Sequence, residues 1–224
     1  MKHAIGVLRY VAFFGLLLLA SAGTLAWPRA WILLGVLLIV HGVGTWSILR
    51  VNRALLDDRA KLPLRRDQAP ADKVLLPASM LSFALLVSFD GFDAFRVKVL
   101  GGPGGVVSAI GLALFAGGWC LVEAALRTNA FATTVVRHQA DRGHVVVSTG
   151  VYKVVRHPMY TGLIASMLGM GLWLGTYAGV LAVVVPAGIL VGRIVVEEAL
   201  LSRVLPEYSS YQSRVRSRLI PGLW

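Results

Sequence analysis

Two short polar stretches carry the chemistry this chain could do. One reads Arg156-His157-Pro158-Met159-Tyr160, and the other reads Arg193-Ile-Val-Val-Glu197-Glu198. Thr161–Gly192, which separates them, holds no charged residue. The two clusters therefore stand at the feet of one apolar helical hairpin, and ionisable groups beside hydrocarbon are costly enough to mark a functional site by default. Arg193 and Glu197, four residues apart, share a helix face. They could satisfy each other as an ion pair, or serve a ligand, the carboxylate holding a cation and the guanidinium an anion. Glu198 points about 100° away, toward solvent or a neighbouring helix.

Pro158 predicts a helix start, because its missing N–H costs nothing in the first turn and its φ is already helical. His157 is biased toward an extended backbone. The unpaired N–H groups and positive dipole end at such a start suit a carboxylate. Tyr160 falls in the first turn; with His157 it could equally be an interfacial anchor. The connection Arg127–His157 is longer than a helical bundle needs, and loops of that length are often functional. It carries Gln139, His144-Val145-Val146-Val147 and Tyr152, the valines reading as a short extended segment laid on something apolar.

The elements that must position these groups are membrane helices. Hydrophobic residues make up 57% of the 224 and charged residues 15%, against about 25% charged in soluble domains. Segments that can span about 30 Å of hydrocarbon are Ile5–Ala26, Ala30–Leu49, Val74–Phe89, Val106–Leu126, Pro158–Gly175 and Tyr177–Val196. The third is short. The last two are joined by almost no loop and are expected to form a tight antiparallel hairpin. The expected fold is thus an all-α membrane protein of five to six transmembrane helices with a cofactor-binding loop and a C-terminal tail. Residues 1–100 would be N-terminal membrane helices and residues 101–224 the catalytic region of one compact domain. The N-terminal stretch imitates a signal peptide but reads as a retained first span.

Of the 22 Lys and Arg residues, only Arg29, Arg96 and Lys98 fall on one set of alternate loops; the other nineteen fall on the opposite set. The positive-inside rule then puts both termini and both polar clusters in the cytoplasm, in an inner or plasma membrane. The net charge of +11 faces anionic lipid, so the bilayer is the expected partner and nucleic acid is not. The single Cys120 offers no CxxC metal site, and no metal is expected. Gly101–Gly105 (GGPGG) follows no strand and reads as a turn. Asp57–Asp72 reads as a solvated connection that could also cover the entrance to a site. The basic, aromatic tail beyond Glu198 reads as an interfacial helix on anionic lipid, with closure over a ligand as the alternative.

The segment HVVVSTGVYKVVRHPMYTG, the charge-free hairpin and RIVVEEALLSRVLPEYSSYQSRVRSRLIPG together resemble the isoprenylcysteine carboxyl methyltransferase family. Phospholipid N-methyltransferases fall in the same broader group. The likeness covers Arg127–Gly222. It implies S-adenosylmethionine as cofactor, held by Gln139, His144, Val145, Val146, Val147, Tyr152, His157, Pro158, Met159, Tyr160 and Glu197. It implies Arg193 as the substrate-side arginine, with Glu198 and Arg156 as possible additions.

The implied reaction is in-line transfer of a methyl group to a lipophilic acceptor, most simply the carboxylate of an isoprenylcysteine-like substrate. Such a group is ionised at neutral pH, its pKa being about 3.5, and needs no general base. An amine or thiol acceptor would have to lose a proton, with Glu198 or His157 as base. Phospholipid amine methylation and small-thiol methylation are the alternatives within that chemistry. Outside it stand a membrane reductase and a non-catalytic scaffold.

Overall fold

The computed structural model describes residues 2–61 and 65–224. Nine α-helices are found among them: α1 (Lys2–Ala22), α2 (Pro28–Val51), α3 (Arg53–Arg59), α4 (Asp72–Phe92), α5 (Gly105–Thr128), α6 (Pro158–Leu174), α7 (Tyr177–Ala182), α8 (Val184–Val204) and α9 (Tyr208–Arg214). The described residues contain no strand. Five stretches are long and apolar enough to cross a membrane: α1, α2, Asp72–Val97, α5 and Tyr177–Val204. The sixth expected span, α6, is the short one at 17 residues. Large apolar side chains such as Leu16, Ile39, Val106 and Val184 lie exposed on their flanks, as lipid-facing surface does.

Local chemistry sets the ends. Pro28 and Pro158 open α2 and α6 at the first helical position. Gly23 closes α1 in the left-handed region at φ 74°, where a side chain would be strained, so α1 stops short of the expected Ala26.

The third span is longer than the Val74–Phe89 read from the sequence. It runs through Asp90 and on into a π-helical turn, Asp93–Val97. Asp90 and Asp93 are fully buried. Asp93 accepts hydrogen bonds from Thr176 Oγ1 at 2.6 Å and Val99 N at 2.9 Å, which lets a carboxylate sit where hydropathy alone would end the helix.

The last span breaks at Val183 and then continues to Val204. Pro186 cannot donate to the Ala182 carbonyl four residues back and its ring crowds it, so α7 ends at that residue. Arg193, Glu197 and Glu198 consequently lie inside α8 rather than at its end.

In packing order the long helices run α6, α5, α2, α1, α4, α8. The core is filled by Phe14, Leu18, Leu33, Leu37, Phe115, Met167 and Ile194. The α6–α5 contact is close enough to need glycine. A Cβ on Gly118 would strike the Gly162 carbonyl, and one on Gly162 would strike the Gly118 carbonyl, the small-residue seam that membrane helices use in place of hydrophobic driving force. The two-residue turn Gly175–Thr176 makes the expected hairpin, with α7 packed on α6 beside the turn; beyond it α6 lies on α5 and α8 on α4. The row of helices is therefore closed at that turn, and its backbones part at the other end, where side chains of α8 reach across to the start of α6.

Candidate active site

Each helix foot at the open end is pinned by one buried carboxylate. Asp72, in the first turn of α4, is 0% exposed. Its Oδ1 accepts from Arg193 Nε at 2.8 Å, and its Oδ2 accepts from Gln68 Nε2 and Val136 N, both at 2.8 Å. Arg193 Nη2 donates to the Thr134 carbonyl at 2.9 Å. This arginine, buried and tied on two of its three nitrogens, leaves Nη1 without a protein partner among the described residues. It does not pair with Glu197, as the four-residue spacing allowed.

Glu198 is the second anchor. Oε1 takes Arg156 Nε at 2.6 Å and His157 Nε2 at 3.1 Å, while Oε2 takes Arg218 Nε at 2.9 Å. Arg156 Nη1 also donates to the carbonyls of Val215 and Arg216. The backbone N–H groups of Arg156 and His157 reach Ser217 O and Arg218 O. Tyr211 Oη donates to the Tyr152 carbonyl at 2.8 Å. The tail is thus stitched onto the Arg-His-Pro segment, with Tyr208 and Tyr211 buried beneath it. The tail is docked rather than free, because its backbone carbonyls are the partners Arg156 needs for its burial, and Tyr208 and Tyr211 bring it to the cavity wall.

Between these anchors lies a cavity that opens to solvent. Its wall includes His144, Val145, Val146, Val147, Tyr152, Arg156, His157, Met159, Tyr160, Arg193 and Glu197. Glu197 accepts from Tyr160 Oη at 3.0 Å through Oε2 and remains about a third exposed, at 31%. The His157 and Tyr160 rings stack at 5.7 Å, and the Arg193 guanidinium lies 5.9 Å from the centre of the Tyr160 ring. His144 stacks on Phe131 at 4.6 Å. Burial foremost, then the nearby charges of His138, Arg137 and Arg142, hold its pKa down at about 4, so the imidazole is uncharged at neutral pH. Burial also pushes the Tyr152 hydroxyl well above its ordinary range.

Three expected residues lie off the cavity. Gln139, 1% exposed, donates through Nε2 to Phe131 O and accepts from Arg142 Nη1 at Oε1, both at 2.7 Å. Its amide folds the loop and, buried off the cavity wall, is turned to its neighbours at both ends. Pro158 is spent on starting α6, and Glu198 on the ion cluster. The sequence reading passed over Phe131 and Leu201 on the cavity wall, which carry no distinguishing pattern, and Asp72 behind Arg193. It left Asp57–Asp72 as either a solvated connection or a cover for the entrance to a site. Leaving aside residues 62–64, which lie outside the described residues, this segment packs on the loop: Arg59 Nη1 donates to Ala132 O at 2.8 Å, and Arg137 Nη1 pairs with Asp67 at 2.9 Å.

Curated protein sequences give no match. The solved structure of a eukaryotic intramembrane Ras methyltransferase, isoprenylcysteine carboxyl methyltransferase, superposes with a TM-score of 0.55 at 22% identity. The match covers 95% of this chain and 75% of that one, and shows a shared integral membrane fold. Residues 106–207, from the start of α5 to the end of α8, match the family model described as phospholipid methyltransferase. The sequence resemblance therefore holds: this integral membrane protein has the fold of the isoprenylcysteine carboxyl methyltransferase, and its cavity-bearing half matches the phospholipid methyltransferase family, which together support a membrane methyltransferase.

Proposed function

We propose that this protein transfers a methyl group from S-adenosylmethionine to an ionised carboxylate on a lipophilic acceptor. The observation that carries this reading is Arg193: a buried guanidinium fixed by Asp72 and Thr134, with one nitrogen left to face the cavity beside Glu197. A planar fork held in this way suits a carboxylate.

The residues present fit the cofactor. The backbone of Val145–Val147 makes no hydrogen bond among the described residues and offers a free polar edge on the cavity wall. Glu197 Oε1 is likewise without a partner there and suits an ammonium or sulfonium. The aromatic faces of Tyr152 and Tyr208 and the uncharged His144 complete a lining suited to a flat heterocycle. When bound, S-adenosylmethionine supplies the electrophilic methyl group.

The chain's own part is alignment and exclusion of water. Arg193 orients the acceptor carboxylate, Tyr160 holds Glu197, and the tail closes the polar side. Both oxygens of Glu198 are committed to the ion cluster, so this carboxylate is not free to take a proton from an amine or thiol, which favours an acceptor that arrives ionised. His157 spends Nε2 on the same cluster and keeps Nδ1 3.9 Å from Glu197. The divergence of α6 from α8 gives it a sideways path from the bilayer, while the polar cofactor enters through the loop side, which the distribution of basic residues assigns to the cytoplasm.

A second reading, methylation of a phospholipid amine, is favoured by the family match over residues 106–207. Methyl-labelled cofactor separates the two. With purified protein in vesicles of phosphatidylethanolamine containing an S-prenylated cysteine derivative, carboxyl methylation gives label released by mild alkali. Amine methylation gives alkali-stable label in the phospholipid.

A further inference from the structure

We infer that Asp72 is the positioning residue for Arg193, fixing its guanidinium against the Thr134–Val136 segment. The inference rests on the proposed role of Arg193. Asp72 belongs to α4, outside the 106–207 region that carries Arg193, Glu197 and most of the cavity wall. It is among the most deeply enclosed charges in the chain, at 0% exposure. A lone carboxylate there would cost several kcal/mol, so its partners must be kept together.

The division of labour between its oxygens is informative. Oδ1 serves Arg193 Nε alone, while Oδ2 serves Gln68 Nε2 and Val136 N. Val136 lines the cavity, and Ala69 N donates to the Val136 carbonyl at 2.9 Å. Asp72 and Ala69, three residues ahead of α4, thus grip Val136 at its N–H and its carbonyl, while Arg193 holds Thr134 two residues earlier. One carboxylate fixes the guanidinium plane and the loop that faces it.

An asparagine here cannot reproduce this. With its oxygen toward Gln68 and Val136, its NH2 group confronts Arg193 Nε; flipped, it confronts the other two donors. Either way the guanidinium loses its charge partner or the loop loses its anchor.

The test is a double-mutant cycle on the full-length protein in vesicles, with Asp72→Asn, Arg193→Ala and the pair. Acceptor kcat/KM is measured beside S-adenosylmethionine affinity. The expected result is a loss of at least about tenfold in kcat/KM for Asp72→Asn, with cofactor affinity within about twofold of wild type. The pair should then be no worse than Arg193→Ala alone. Wild-type kcat/KM in Asp72→Asn overturns the inference. So does a double mutant that shows the full product of the two losses, or cofactor affinity that falls in step with turnover. If Asp72→Asn does not fold, Gln68→Met, which removes one support of Asp72, is read in the same cycle. Label found in an amine rather than a carboxylate overturns the carboxylate reading of the acceptor while the cycle still reports the coupling of Asp72 to Arg193.

Discussion

Arg193 bypasses Glu197, one helical turn along its own helix, and pairs at 2.8 Å with Asp72, 121 residues earlier in the chain. Two consequences follow for the site. Glu197, 3.9 Å from His157 Nδ1, is left to face the cavity with Tyr160 as its only hydrogen-bond donor among the described residues. Arg193 is held by two bonds of fixed direction, so its third nitrogen has a defined aim. Alignment of this kind is where transfer without a general base must gain its rate.

Arg193→Ala is expected to lower turnover by about 100-fold or more while leaving cofactor affinity within about twofold, the pattern of a group that acts on the acceptor. Arg193→Lys should not restore it, because an ammonium cannot bond Asp72, Thr134 and a ligand in the same plane. Steady-state kinetics beside calorimetry checks both. Recovery by lysine would mean that only a positive charge is needed there.

Glu198→Ala should destabilise the fold rather than alter chemistry alone. It strands Arg156, whose side chain is 5% exposed, and cuts the Arg218 link to the tail. Removing one partner of a buried ion pair typically costs about 3–5 kcal/mol. Thermal unfolding in detergent should show a melting temperature lower by many degrees, with earlier proteolysis after α9. An unchanged melt would mean that solvent reaches the cluster.

The depressed pKa of His144, about 4, has a defined sign in the stability of the loop. The unfolded imidazole titrates near about 6.5. Below that pH the unfolded chain binds a proton that the folded one refuses until about pH 4. The contribution is whole above pH 6.5 and is lost as pH falls through the window between those values. His144→Asn should therefore flatten the decline of melting temperature between pH 7 and pH 5. An identical decline in both proteins would show that His144 is not the group responsible.

Gly118→Val tests the α5–α6 seam. A Cβ there would meet the Gly162 carbonyl and Ser166, and backbone cannot yield as a side-chain tip can, so the helices must separate. Overpacking of this kind costs about 1–3 kcal/mol or more. The folded yield in detergent should fall sharply, whereas Gly117→Val, which meets nothing within 4 Å, should be tolerated.

The sequence made the framework and half of the site readable, for physical reasons that particular residues show. A charge-free run between two polar clusters has few alternatives to a membrane hairpin, and Pro158 fixes where α6 begins. The Arg193–Glu197 spacing marked the correct face of α8 but named the wrong partner, since periodicity reports neighbours on one helix and Asp72 comes from another. Asp90 and Asp93 hid the true length of α4: a carboxylate reads as a helix end in hydropathy, whereas the burial of Asp93 is sustained by Thr176 and Val99 from outside the helix. The tail docks largely through its backbone carbonyls at Val215 and Arg216, groups that every residue has and that leave no signature. Gln139 was misplaced for the opposite reason: a buried amide looks the same in sequence whether it serves a ligand or a neighbouring carbonyl.

The central claim is that Glu197 faces a bound S-adenosylmethionine in this cavity. Calorimetry of the detergent-purified protein with S-adenosylmethionine, alongside Glu197→Gln, tests it most directly. The account predicts saturable binding to the wild type and at least about tenfold weaker binding to the variant, a loss of about 1.4 kcal/mol, with the two melting curves superimposed. Equal affinity in the two proteins, or no binding to a well-folded wild type, would contradict it.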